Sequence, residues 1–97
     1  MIETALFGAG RIGRIHAANL AAHPAARLKY VVDVNESAAR ELASLHGARP
    51  ASPDEAFADP AVKAAVIASS TDTHAALIVR AARAGDEAAL SLLGFAP

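Results

Sequence analysis

The sequence predicts an α/β fold in which helices cover both faces of a doubly wound, mostly parallel sheet of about four strands. Two observations support this prediction. Apolar runs rich in β-branched residues alternate with runs of helical periodicity, and glycines or prolines separate them. Strands that alternate with helices need crossover connections, which are nearly always right-handed and make neighbouring strands parallel.

The first half of the chain contains two strand-helix units. The first strand is predicted at Ile2 to Phe7, and the first helix runs from Arg11 to Ala22, before Pro24. A second strand follows at Leu28 to Val34, because three residues of high β propensity lie at its centre. The second helix spans Ser37 to His46, where Leu and Ala recur on one face.

Residues that begin or end helices predict the elements between Gly47 and Ala58. Gly47 is placed to terminate the second helix with positive φ. Ser52-Pro53-Asp54-Glu55 predicts a short helix to about Ala58, because it combines an N-cap Ser, a first-turn Pro and a capping-box Glu. Only Arg49 to Ala51 remains for the third strand, which must therefore be short and lie at an edge.

The last part of the chain predicts one clear strand and an ambiguous tail. Val62 to Ala68 forms the fourth strand, and a helix capped near Thr71 continues to Ala84, before Gly85. Two structures fit residues 86–97. Either Asp86 caps a short amphipathic helix, which we prefer, or Leu90 to Phe95 replaces a fifth strand.

Composition excludes several classes of function. The 97 residues suit one compact unit, and a net charge of -1 with nine scattered Lys and Arg residues argues against a nucleic-acid partner. The absence of Cys excludes disulfides, thiol catalysis and Cys-based zinc sites. No apolar run approaches the ~18 to 20 residues of a membrane span, and no signal-type segment begins the chain, so we expect a cytoplasmic protein without a membrane partner.

The glycine cluster predicts a dinucleotide site. Gly8, Gly10 and Gly13 match the pattern G-x-G-x-x-G, which leaves a predicted strand, opens a predicted helix and precedes Asp33 by 20 residues. Gly8 would permit the tight turn, Gly10 would admit a pyrophosphate, and Gly13 would let the helix pack closely. The helix amino terminus would then face the phosphates. The alternative is a turn that only joins strand to helix.

The residues around Asp33 predict the choice of cofactor. A carboxylate at this position accepts hydrogen bonds from the ribose hydroxyls and repels a 2′-phosphate, which favours NAD over NADP. Val34 and Asn35 follow Asp33 at the position where a cation would usually bind the phosphate, although Arg40 in the next helix could reach this position. The alternative role for Asp33 is to cap the next helix, which Asn35 or Ser37 can do instead.

Three segments resemble one family. Residues 5–16, the Val-Val-Asp-Val at 31–34 and the Ser-Ser-Thr-Asp-Thr-His at 69–74 are similar to the glucose-fructose oxidoreductase/inositol dehydrogenase (Gfo/Idh/MocA) family and, within it, to the inositol 2-dehydrogenases. The resemblance covers Ile2 to Gly85. It implies a Rossmann-like domain with strand order 3-2-1-4, truncated before strands five and six, and an NAD-dependent reaction on a polyol or sugar hydroxyl. The predicted cofactor-binding residues are Gly8, Gly10, Arg11, Ile12, Gly13, Asp33 and Val34, to which the resemblance adds Ser69, Ser70, Thr71 and His74.

The four histidines do not predict catalysis or a metal site. We expect His16 to pack or hydrogen-bond within the first helix, and His74 to contact the cofactor rather than catalyse. His23 and His46 lie at predicted helix ends, where a cation is favourable. No pair has metal-site spacing.

The chain departs from the family after Gly85. The family continues with a Glu-Lys-Pro motif, whose Lys is catalytic, and with a substrate domain, and residues 86–97 match neither. We therefore expect a partial NAD-binding domain over residues 1–85, a non-family tail over 86–97 and no catalytic residue. Truncation, a frameshift, engineering or a natural short protein would each give this pattern. The alternative function is a non-catalytic nucleotide-binding or self-associating α/β module, engineered or natural.

The absence of strands five and six also predicts a homodimer. In the family's strand order, Ala64 to Ala68 would then lie at an edge with unpaired backbone N–H and C=O groups, and this strand contains the apolar residues Val66 and Ile67. Either the tail folds back over this edge or two chains pair there. We expect a dimer formed by the fourth-strand edge and the tail.

Overall fold

The computed structural model describes residues 1–68 and 91–95. The strands are β1 (Ile2–Phe7), β2 (Ala26–Val32), β3 (Arg49–Pro50), β4 (Val62–Ile67) and β5 (Ser91–Phe95), and the helices are α1 (Arg11–Ala22), α2 (Glu36–Leu45) and α3 (Pro53–Ala58). The strands form one sheet in the order β3-β2-β1-β4-β5, and every neighbouring pair is parallel. The predicted α/β class and the order 3-2-1-4 are confirmed. A fifth strand extends the sheet beyond β4.

Short-range hydrogen bonds set the helix ends as predicted. The side chain of Asn35 accepts the N–H of Ala38 at 3.1 Å and caps α2, which is followed by Gly47 with a φ of 68°. At α3, the Ser52 hydroxyl accepts the Glu55 N–H at 3.1 Å, and the Glu55 side chain accepts the Ser52 N–H at 3.5 Å. This capping box satisfies donors that the first turn of a helix leaves free.

The second strand lies two residues earlier than predicted. It spans Ala26–Val32, whereas Leu28 to Val34 was expected. The Asp33 side chain accepts the N–H of Asn35, so the chain turns into α2 directly after Val32. The β-branched run therefore ends where the carboxylate begins a turn, and Asp33 lies beyond the strand rather than within it.

Two apolar clusters hold the sheet between its helices. The cluster shared with α1 and α2 contains Leu6, Ala9, Ala17, Leu28, Val31, Ala39, Leu42, Ala43 and Val66. The cluster shared with α3 contains Ala5, Phe7, Tyr30, Val32, Ala56, Val62, Ala65 and Ile67, and Phe57 stacks on Phe7 with ring centroids 4.8 Å apart. Burial on both faces fixes the carboxyl ends of β1 and β2, from which the glycine turn and Asp33 project.

The tail adopts the alternative that we did not prefer. Residues 91–95 form β5, which pairs in parallel with β4 from Ala64 with Ser91 to Ile67 with Phe95, so the preferred helix was wrong over this range. The tail therefore folds back over the β4 edge, and the homodimer stays a prediction. Backbone pairing explains the result, because a parallel strand satisfies the N–H and C=O groups that β4 would otherwise leave unpaired. The helix predicted near Thr71 to Ala84 and the cap at Asp86 lie outside the described residues.

Candidate functional site

The glycine turn lies at the carboxyl ends of β1 and β2. β1 ends at Phe7, and the N–H of Gly8 donates to the carbonyl oxygen of Val32 at 2.8 Å, which joins the turn to the end of β2. Gly8 has a φ of 116°, which side chains disfavour. The chain can therefore leave the sheet sharply and enter α1 at Arg11.

Two glycines of the turn have different roles. A Cβ atom on Gly13 would lie 1.9 Å from the carbonyl oxygen of Gly8, so α1 can approach the turn only because residue 13 has no side chain. A Cβ atom on Gly10 would meet no atom of the described residues within 4 Å. Gly13 is therefore required by packing, whereas a side chain at Gly10 would contact none of the residues that the structure describes.

The amino terminus of α1 has the features of an anion site. Gly10 is the N-cap in an extended conformation, no described side chain makes a capping hydrogen bond there, and the first turn contains no acidic residue. Arg11 and Ile12 of this turn are exposed, Ile12 by 37%. N–H groups at the start of a helix lack partners within the helix and favour a negative ligand. A pyrophosphate fits this position in charge and in space.

Asp33 is tied to the glycine turn by its carboxylate. Oδ2 accepts the N–H of Ala9 at 2.7 Å, and Oδ1 accepts the N–H of Asn35 at 2.8 Å. Each carboxylate oxygen has two lone pairs, so both oxygens can accept one further hydrogen bond. Val34 beside it is 97% exposed. The arrangement presents two acceptors and an apolar surface next to the turn.

The structure brings most of the predicted residues to one edge of the sheet. Those at the carboxyl ends of β1 and β2 or in the first turn of α1 are Gly8, Gly10, Arg11, Ile12, Gly13, Asp33 and Val34. The predicted contacts Ser69, Ser70, Thr71 and His74 lie outside the described residues. Ala68, which precedes them, donates its N–H to the carbonyl oxygen of Phe7 at 2.7 Å, so the chain leaves β4 at this same edge.

Sequence reasoning missed the backbone donors to Asp33. The N–H groups of Ala9 and Asn35 bind its carboxylate, and Ala9 is only 3% exposed. Every residue except proline offers such a donor, so residue type carries no information about it. No residue type in the sequence could therefore have indicated this contact.

Among the described residues, the groups with displaced pKa values lie away from the glycine turn. Asp59, in the turn before β4, accepts hydrogen bonds from Lys29 at 2.6 Å, Tyr30 at 2.7 Å and the N–H of Ala61 at 2.8 Å, and these bonds lower the pKa of Asp59 to about 2. The hydrogen bond to Asp59 raises the pKa of both Lys29 and Tyr30. Because β4 begins after this turn, the cluster lies toward the amino ends of the strands, away from the glycine turn.

The histidines of the described residues are dispersed. His16 is half-buried and lines a shallow cavity beside α1, whereas His23 and His46 cap the carboxyl ends of α1 and α2. Residues 1–68 and 91–95 contain no group of three or more His, Asp or Glu residues arranged to hold a metal ion. None of the helices in this part of the chain has the length and apolar character needed to cross a membrane.

Comparison with curated proteins identifies similar sequences. The inositol 2-dehydrogenase of Rhizobium meliloti (strain 1021) is 42% identical over 84 residues, which are 87% of this chain and 26% of that protein. The chain therefore spans about a quarter of the length of this relative.

Solved structures give the same result. A myo-inositol dehydrogenase from Corynebacterium glutamicum ATCC 13032 is 42% identical with a TM-score of 0.87, over 97% of this chain and 27% of that one. GenD2 from gentamicin A biosynthesis, solved in complex with NAD, is 34% identical with a TM-score of 0.88, over 96% of this chain and 26% of that one. Residues 2–89 match the family described as "Oxidoreductase family, NAD-binding Rossmann fold". The glycine turn and Asp33 lie within this matched segment, and the chain belongs to the Gfo/Idh/MocA oxidoreductase family.

Proposed function

We propose that the chain binds NAD at the glycine turn and forms the cofactor-binding part of a dehydrogenase that oxidises a hydroxyl of a polyol or sugar. The observation that carries the proposal is the carboxylate of Asp33, which is held beside a turn where no described residue fills the space at Gly10. The printed names of the relatives support the substrate class, since two of them are inositol dehydrogenases.

Different described residues would bind different parts of the cofactor. The first-turn N–H groups of α1 would bind the pyrophosphate over Gly10. The carboxylate of Asp33 would accept hydrogen bonds from the hydroxyls of the adenosine ribose. The exposed side chains of Ile12 and Val34 would pack on the apolar parts of the cofactor. The negative charge of Asp33 would disfavour a 2′-phosphate, so we expect NAD to bind more tightly than NADP.

The nicotinamide half of the site is proposed from the resemblance. Its members are Ser69, Ser70, Thr71 and His74, which follow β4 in the sequence. When bound, NAD would accept a hydride from the substrate carbon, and the protein must position that carbon and take the proton of the hydroxyl attached to it. The Glu-Lys-Pro motif that provides the family's catalytic Lys has no match in these 97 residues. We therefore propose that residues 1–85 bind the cofactor, and that this chain alone does not turn over.

The second candidate function is nucleotide binding at the same site without catalysis. The open turn and fixed carboxylate would equally serve a non-catalytic nucleotide-binding module. Both functions predict flat reduced-nicotinamide absorbance with myo-inositol and NAD for this chain alone. The DNA downstream of codon 85 separates them, because an intact Glu-Lys-Pro reading frame there would mark the dehydrogenase. Turnover that is lost in Asp33→Ala would mean that the chain supplies a proton acceptor of its own.

Calorimetry tests the binding site. We expect NAD and ADP-ribose to bind with a dissociation constant on the order of 0.1 to 1 mM, since this chain spans about a quarter of the length of its relative. Gly10→Val should abolish binding, since its side chain would fill the space above the turn that is open in the described residues. Ala18→Val is the control, because it places the same side chain at an exposed position of α1. Equal affinity in the Gly10→Val and wild-type chains would refute the site.

A further inference from the structure

We propose that Asp33 is a positioning residue as well as a ribose acceptor: its carboxylate holds the glycine turn in place before the cofactor binds, and the turn in return fixes where the carboxylate's charge lies. This inference rests on the proposed function. It assigns a second role to Asp33 and makes the preference for NAD depend on geometry as well as on charge.

The carboxylate connects two turns that adjacent strands deliver to the same edge. Its Oδ2 takes the N–H of Ala9, between the first two glycines, at 2.7 Å, and its Oδ1 takes the N–H of Asn35, at the start of α2, at 2.8 Å. Both donors are backbone groups, so neither can rotate away. Hydrogen bonds to an ionised acceptor are the short, strong ones. We name this pair of bonds the Asp33 clamp.

The clamp restrains the part of the turn that has the most conformational freedom. Ala9 lies between Gly8 and Gly10, and glycines leave the backbone many accessible conformations. Ala9 is 3% exposed, so breaking the clamp would leave a buried N–H that water reaches poorly. Buried donors without an acceptor are costly. Rotation of the Asp33 side chain away from the turn is therefore opposed.

A carboxylate that cannot rotate discriminates more strongly between dinucleotides. Each oxygen of Asp33 keeps a lone pair, so two ribose hydroxyls can bind without displacing Ala9 or Asn35. A 2′-phosphate would meet a negative charge that is held in position. Asp33→Glu keeps the charge but moves it by one methylene, which separates the effect of position from that of charge.

Nuclear magnetic resonance on the full chain without cofactor tests the clamp directly. We expect a through-hydrogen-bond coupling between the Ala9 amide nitrogen and the Asp33 carboxyl carbon. Exchange of the Ala9 amide should be about tenfold faster in Asp33→Asn and in Asp33→Glu. Glu36→Gln is the control, since it removes one exposed charge at the start of α2 and should leave the Ala9 amide unchanged.

Calorimetry then tests the effect on specificity. We expect the ratio of NAD to NADP affinity to fall about fivefold or more in Asp33→Glu and to stay constant in Glu36→Gln. Absence of the coupling in the wild-type chain overturns the clamp without the need for any variant. If Asp33→Glu speeds exchange of the Ala9 amide but leaves the ratio of NAD to NADP affinity unchanged, the specificity role of Asp33 is wrong. If the coupling is present but no dinucleotide binds, the proposed function fails separately and with it the specificity role.

Discussion

The hydroxyl of Tyr30 donates a 2.7 Å hydrogen bond to Oδ2 of Asp59 and joins the middle of β2 to the turn between α3 and β4. The same oxygen lies 2.6 Å from Nζ of Lys29, and Oδ1 accepts the N–H of Ala61 at 2.8 Å. Three donors around one carboxylate favour its ionised form. Asp59 therefore links strand, helix and turn on the part of the sheet remote from the glycine turn.

Acid should destabilise the fold through Asp59. Hydrogen bonds from Lys29 and Tyr30 lower the pKa of Asp59 from its ordinary 3.8 to about 2. A depressed folded-state pKa gives stability that is present above the ordinary value and lost as pH falls through the folded value. We expect the free energy of unfolding to decrease between about pH 4 and pH 2. Urea denaturation across this range should show a smaller decrease in Asp59→Asn; identical pH profiles would contradict the role of Asp59.

Removal of the Tyr30 hydroxyl should weaken the same cluster. Tyr30 is 7% exposed and its ring packs in the core, so Tyr30→Phe keeps the packing and deletes one donor to Asp59. We expect the pKa of Asp59 to move up toward 3.8, and the free energy of unfolding to fall by about 1 kcal/mol. A carboxyl-detected titration measures the first effect and denaturation the second. An unshifted Asp59 titration would show that Lys29 and the backbone N–H suffice.

The two glycines of the turn should respond differently to alanine. Gly13→Ala places a Cβ atom 1.9 Å from the Gly8 carbonyl oxygen, and relief of that overlap requires α1 to move. We expect a loss of about 2 to 3 kcal/mol in the free energy of unfolding. Gly10→Ala meets no described atom and should cost less than about 1 kcal/mol, while still reducing NAD affinity. Comparable destabilisation by both substitutions would refute the division of roles.

Local chemistry made much of this fold predictable. The capping box at Ser52 and Glu55 and the positive φ at Gly47 follow from residue types a few positions apart, and the structure confirms them. The acid at residue 33 was also placed correctly beside the turn. Its backbone donors were not predictable, because any residue supplies an N–H. The pairing of β5 with β4 depends on contacts between distant segments, which local pattern leaves open.

Removal of the tail should make the chain self-associate. β5 pairs with β4 along Ala64 to Ile67, and a chain ending at Gly85 would expose that edge of the sheet. An apolar strand with unpaired N–H and C=O groups favours pairing with another chain. Light scattering should give an apparent mass that rises with concentration for the shortened chain and stays lower for the full one. A chain that lacks only Ala96 and Pro97 is the control, because it keeps β5 to its last residue, Phe95. If the chain ending at Gly85 remains a folded monomer at all concentrations, β5 does not protect the edge of β4.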